Sequence, residues 1–142
     1  MIFNFLNHKN YKLKRPVAFQ LLQSFRSSEI QLFHVFLESP AFNRRQEMPL
    51  LLDYWRQNKA EPPDAQAIFK TACPGQPFRK QDYYLLLSRF HKLAEQFLAW
   101  QAFQQNEQAQ YTHLLQALHQ RQQRTLFKRS LKKAHRLKKP QD

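Results

Sequence analysis

The apolar residues of this chain are mostly of kinds that favour helices. Its 142 residues include 20 Leu and 13 Phe but only eight Val, Ile and Thr together. β-branched residues are the ones that strands prefer, and one Gly leaves little for the turns of β-hairpins. Hydrophobic residues, at 42%, are too frequent for a disordered chain. The sequence therefore predicts an all-α fold with a hydrophobic core.

Apolar residues recurring every three or four positions predict about six helices in a single domain at 16–139. Several short helices come first, and the Pro- and Gly-containing segment 74–77 is the clearest break in the chain. Two long helices follow, near 79–105 and 108–138. They would form an antiparallel hairpin if Asn106 separates them.

Polar residues at helix-start spacing locate the short helices. Ser28 and Gln31 have the spacing of a capping box, and Asn43 and Asp64 are good N-caps. Pro49 lies too deep for a continuous helix after Asn43. We therefore expect either one helical turn before Pro49 or a helix that starts there.

The first long helix carries the most regular apolar pattern in the chain. Six in-phase positions over 18 residues predict one buried face. A base-stacking platform is the alternative for such an aromatic stripe, but its regularity favours core packing. The six residues are Tyr83, Leu86, Phe90, Leu93, Phe97 and Trp100.

Positive charge is concentrated at the two ends of the chain. The formal net charge is +13, of which 1–15 contributes +4, 16–120 only +1 and 121–142 +8. We expect a basic N-terminal extension at 1–15, a helical domain at 16–139 and a short tail at 140–142. A partner attracted by charge would be attracted mainly to the C-terminal stretch.

The stretch 121–139 predicts a basic amphipathic helix. Its apolar residues fall within an arc of about 140°, at 100° per residue, and its cations cover most of the remaining half. Such a ridge can bind nucleic-acid phosphates, an acidic protein or an anionic membrane surface, or it can be only a solvated face. The candidate residues for binding an anionic partner are Arg121, Arg124, Lys128, Arg129, Lys132, Lys133, Arg136 and Lys139.

Motifs for catalysis or cofactor binding are not found in the sequence. His91 and Glu95 lie one helical turn apart, but a zinc site needs three or four converging ligands. Cys73 lies at a predicted helix C-terminus, where the thiolate is disfavoured. There is no Gly-rich phosphate loop and no nucleophile elbow. We therefore expect no enzyme and no cofactor.

The sequence has no secretory signal pattern and no apolar run long enough for a membrane span. The single Cys excludes an intramolecular disulfide. A cytoplasmic location is therefore expected.

Several phrases resemble the N-terminal part of a family of large, uncharacterised, all-helical proteins of Bacteroidota bacteria. They include residues 22–25, 36–43, 74–78 and 86–90, and the most specific is Leu-x-Ser-Pro-x-Phe-Asn at 37–43. The resemblance covers roughly 20–137. It implies a helical fold without an assigned activity. Because the similar proteins continue with more helices, this chain would pack against further helices if it is a fragment.

Two functional hypotheses arise from these patterns. The first is a non-enzymatic helical protein-interaction module whose partner is unknown. The alternative is sequence-nonspecific nucleic-acid binding through the basic C-terminal helix.

Overall fold

A computed structural model describes residues 15–137, and this part of the chain contains seven helices and no strand. The predicted all-α class is confirmed, with seven helices where about six were expected. The tail at 140–142 and the extension at 1–15, apart from Arg15, lie outside the described residues. The helices are α1 (Val17–Gln23), α2 (Ser27–Glu38), α3 (Glu47–Gln57), α4 (Ala65–Ala72), α5 (Lys80–Gln105), α6 (Glu107–Gln120) and α7 (Arg124–Leu137).

The described residues form two compact units that divide within α5, after Phe97. The first unit contains every buried side chain of the described chain, from Ala18 to Phe97. The second unit comprises the end of α5 with α6 and α7, and none of its described side chains is buried. Within 15–137, no helix combines the length and apolar character needed to cross a membrane.

Phe33 of α2 lies at the centre of the core of the first unit and is fully buried. Its ring centroid lies 5.2 Å from that of Phe97 and 5.7 Å from that of Phe90, both on α5. The ring of Phe25, just before α2, is 5.8 Å away. Tilted and edge-on aromatic pairs at these distances stabilise a core beyond the area that they bury.

The predicted apolar stripe of α5 does supply this core. Tyr83, Leu86, Phe90 and Phe97 are buried, which confirms the core interpretation for these four positions. Leu93 and Trp100 are only half-buried. The helix therefore loses its buried face after Phe97, at the point where the first unit ends.

Of the three helix caps predicted in the first unit, the one at Asp64 is confirmed, and those at Ser28 and Asn43 are wrong. The Asp64 carboxylate accepts hydrogen bonds from two backbone N–H groups in the first turn of α4, at 3.1 and 3.4 Å. The capping box predicted at Ser28 and Gln31 does not form, because the N-cap of α2 is Arg26, two residues before Ser28. Instead, the Glu29 carboxylate accepts from the backbone N–H of Arg26 at 3.1 Å, and an ionised acceptor is favoured at a helix N-terminus.

Asn43 is not the N-cap that the sequence predicted, because α3 begins only at Glu47. Its buried side-chain amide donates to the carbonyls of Leu37 and Arg45, at 2.8 and 2.9 Å, and accepts from the Arg45 N–H at 3.0 Å. The side chain thereby supplies hydrogen-bond partners for three backbone groups at the ends of the segment between α2 and α3. Pro49 lies within the first turn of α3, where its missing N–H has no helical acceptor to lose.

The second predicted long helix, at 108–138, is wrong as a single element. Asn106 does break the helix, and its side chain caps α6 by accepting from the Ala109 N–H at 3.0 Å. A further break at 121–123, which the apolar periodicity did not predict, separates α6 from α7. The helical hairpin is therefore formed by α6 and α7, and not by the helices at 79–105 and 108–138.

We expect Phe90→Ala and Phe97→Ala each to lower the free energy of unfolding by about 3–5 kcal/mol, because each removes a fully buried ring and leaves a cavity. Urea denaturation followed by circular dichroism measures the change. Leu85→Ala on the same helix is the control, since Leu85 is 47% exposed. Equal effects at Phe90 and Leu85 would contradict the core assignment.

Candidate interaction surface

The turn between α6 and α7 is a Schellman motif, which ends a helix with one left-handed residue. Gln122 has φ +56°. Its N–H donates to the carbonyl of His119 at 3.0 Å, and the N–H of Gln123 donates to that of Leu118 at 2.9 Å. These are the two hydrogen bonds of the motif. Glycine usually occupies the left-handed position, so a Gln there gave no sign of the turn in the sequence.

This turn places one face of α7 against α6. Phe127, Leu131 and Ala134 are half-buried on that face, and the Phe127 ring lies 6.2 Å from the His119 ring on α6. Near the middle of α6, the His113 ring lies 5.6 Å from the ring of Phe103 on α5. The predicted amphipathic character of α7 is therefore real, and its apolar centre packs on its neighbour.

The predicted cationic residues are brought together along α7. The Arg121 side chain, in the turn, donates to the Ala117 carbonyl at 3.4 Å. Lys139 lies outside the described residues. In the described part of the chain, no carboxylate lies within 4 Å of any of these cations, and 98–137 contains a single acid, Glu107. The exposed cations are Arg121, Arg124, Lys128, Arg129, Lys132, Lys133 and Arg136.

The cations of α7 divide into two groups about the helix axis, at about 100° per residue. Arg124, Lys128 and Lys132 occupy one side, and we call them the far-side cations. Arg129, Lys133 and Arg136 occupy the side that borders two leucines, and we call them the leucine-side cations. Each group contains three charges, so the two can be compared directly.

Leu126 and Leu137 are the leucines on that border, and they are 45% and 40% exposed. The sequence pattern placed both on the apolar packing face of the basic helix. They lie at the margin of its apolar arc, however, roughly 90–110° from the centre of the face that packs on α6, at about 100° per residue. Leu114 of α6 is likewise 42% exposed. The second unit thus combines exposed leucines with cations that have no carboxylate neighbour among the described residues.

Two other candidates from the sequence lie in the first unit. His91 contacts Glu95, with Nε2 and Oε1 3.2 Å apart, and its Nδ1 is buried without a hydrogen-bond partner among the described residues. Burial raises the pKa of the Cys73 thiol, and the carboxylates of Glu47 and Asp82 raise it further. Within 15–137, no three His, Cys, Asp or Glu side chains are arranged to hold a metal ion.

Known proteins do not add to this picture of the surface. Comparison of the chain with protein-family models, with curated proteins and with solved structures finds no match. The similarity to helical proteins of Bacteroidota therefore stays a prediction. The function has to be inferred from the surface itself.

We expect Gln122→Gly to raise the free energy of unfolding of the second unit by about 1 kcal/mol, because glycine adopts a left-handed backbone without the strain of a Cβ. Hydrogen exchange of the amides of α6 and α7 measures the effect. Gln116→Gly is the matched control: Gln116 is exposed within α6, where glycine lowers stability by about 1 kcal/mol. Faster exchange in both variants would contradict the role assigned to Gln122.

Proposed function

We propose that this chain is a non-enzymatic helical protein-interaction module that binds its partner through the second unit. One observation carries the proposal: the second unit has no buried side chain among its described residues, yet it exposes 40–45% of each of three leucines, Leu114, Leu126 and Leu137. The apolar surface of a partner protein would remove these leucines from water. Each buried Å² of apolar surface contributes roughly 25 cal/mol.

The first unit supports the proposal by contrast. It also exposes apolar side chains such as Val17 and Val35, but its helices bury whole aromatic side chains against one another and so enclose a core. The second unit, with the same kinds of apolar residues, has only half-buried contacts between α6 and α7.

Two lesser parts of the proposal rest on Cys73. Its raised thiol pKa leaves little thiolate at neutral pH, which supports a non-catalytic role for this residue. A lone Cys also makes no demand for an oxidising compartment, so the cytoplasm is the proposed location.

Sequence-nonspecific nucleic-acid binding is the second candidate. It is favoured by the seven exposed cations of 121–136, none of which has a carboxylate within 4 Å in the described chain. A row of this kind suits phosphates, which are contacted without regard to base sequence. Nucleic acid would leave the exposed leucines without an apolar partner, however, and for that reason this candidate ranks second.

We expect Leu126→Gln with Leu137→Gln to reduce the recovery of the partner protein at least about tenfold, because two apolar contacts are lost without a change in charge. The full chain is used as bait in nuclease-treated extract of its source cells, and partners are identified by quantitative mass spectrometry. Val17→Gln with Val35→Gln is the control, since both valines are 63% exposed in the first unit. The same proteins in the same amounts with all three baits would refute the proposal.

For nucleic acid, we expect any affinity to fall steeply with salt and to vary little with sequence. Replacing Lys128, Lys132 and Arg136 with Gln should flatten the slope of log affinity against log salt by about 2.7, which corresponds to three phosphates. Gel shifts with generic RNA and duplex DNA measure both quantities. The absence of a shift by the unaltered chain at low salt would exclude the second candidate.

A further inference from the structure

We propose that the partner bound by the second unit presents an amphipathic helix with carboxylates along one edge of its apolar stripe. This helix docks on the side of α7 formed by Leu126, Leu137 and the leucine-side cations Arg129, Lys133 and Arg136. The inference rests on the proposed function above, and it names the chemistry of the partner.

The spacing of the surface fits a helix of three turns. Leu126 and Leu137 are eleven residues apart, which is about 16 Å along α7. Ser130 and Lys133 lie between them at steps of four, three and four, so these four positions form one row. Ser130 is small and half-buried, and it leaves room for side chains of an opposing helix between the two leucines. Helical partners bind in this way, through apolar anchors at intervals of three and four residues.

The charges beside this row specify an acidic partner. The leucine-side cations are exposed, and each lies within about one helical turn of Leu126 or Leu137. Among the described residues, no carboxylate lies within 4 Å of them. Carboxylates that border the apolar stripe of the partner would meet these cations as the leucines are covered. Charge complementarity of this kind fixes the orientation of a partner and excludes basic ones.

The same charges argue against a second copy of this chain as the occupant. Residues 98–137 contain seven Lys and Arg against one acid, and 15–97 contain eleven against eight. Two second units face to face would oppose like charges, which costs free energy and slows association. The surface therefore fits a partner whose charge is opposite to that of the chain.

The test uses three stapled helical peptides, so that failure to form a helix cannot explain weak binding. The first carries a Leu stripe bordered by Glu, the second the same Leu stripe bordered by Gln, and the third an Ala stripe bordered by Glu. Fluorescence anisotropy with the full chain measures their affinities at 0.15 M salt. We expect the first peptide to bind at least about tenfold more tightly than either of the others, since it alone offers both apolar and charged contacts.

Two triple variants of the chain locate the contact. We expect R129Q/K133Q/R136Q to weaken the first peptide at least about tenfold. The matched control R124Q/K128Q/K132Q removes the same charge from the far side, and we expect it to weaken binding less than about threefold, because the Debye length is only about 8 Å at this salt concentration. All six positions are exposed on α7 and Gln preserves helix propensity, so the fold should survive in both variants. Circular dichroism verifies this.

Three results would overturn the inference. Equal weakening by both triple variants would indicate a diffuse attraction such as that for nucleic acid. Equal affinity of the Ala and Leu peptides that carry Glu would show that charge alone is recognised. Failure of all three peptides to bind would exclude an acidic helix. If the Leu126 and Leu137 variant still loses its partner from extract, the proposed function stands and only the class of partner is wrong.

Discussion

The structure depends first on the packing of Phe33 against the two rings of α5. Phe90 and Phe97 approach it at 5.7 and 5.2 Å, and all three side chains are fully buried. This contact joins α2 to the longest helix of the chain. Phe97 is also the last buried residue in the described sequence. Beyond Phe97, α5 continues for two turns in which no side chain is buried. The buried core of the described chain therefore ends at this ring cluster.

The helices beyond Phe97 have the same kinds of apolar residues but a different physical situation. The Schellman turn at Gln122 places α7 beside α6, and two helices alone cannot enclose a side chain from all directions. Phe127 and Leu131 are therefore half-buried, while Leu126 and Leu137 remain exposed over 45% and 40% of their surface. The cations of α7 lie around this incomplete face, and because 98–137 contains only one acid, their charge is not neutralised locally.

Much of the fold was predictable because, in α5 and at the starts of α4 and α6, the local sequence pattern agrees with the tertiary structure. The apolar period of α5 identified the positions that contact Phe33, and Asp64 and Asn106 carry the cap chemistry that starts α4 and α6. The turn at Gln122 was not predictable, because its left-handed backbone is held by hydrogen bonds and by the packing of α7, not by a glycine. Asn43 was misassigned because its side-chain amide donates a hydrogen bond to a carbonyl six residues earlier, and the spacing of helix caps does not reveal such a contact.

For the candidate site, periodicity identified the cations and the apolar arc of α7. It could not show that α6 covers only the centre of that arc.

That partial coverage decides what kind of partner suits the surface. Cations alone would attract phosphates, carboxylates and anionic lipids alike, and the attraction would decline as salt increases. Leucines alone would favour self-association or aggregation. Placed side by side on α7, they would act differently in the proposed complex: the leucines would provide affinity that salt does not screen, and Arg129, Lys133 and Arg136 would select the charge and orientation of the partner. The far-side cations lie on the opposite flank of the face that packs on α6, away from that contact. In the proposed complex their main effect would be on the rate of encounter, since long-range attraction speeds association more than it slows dissociation. Under this proposal, the far-side cations would act during encounter and the leucine-side cations in the formed complex.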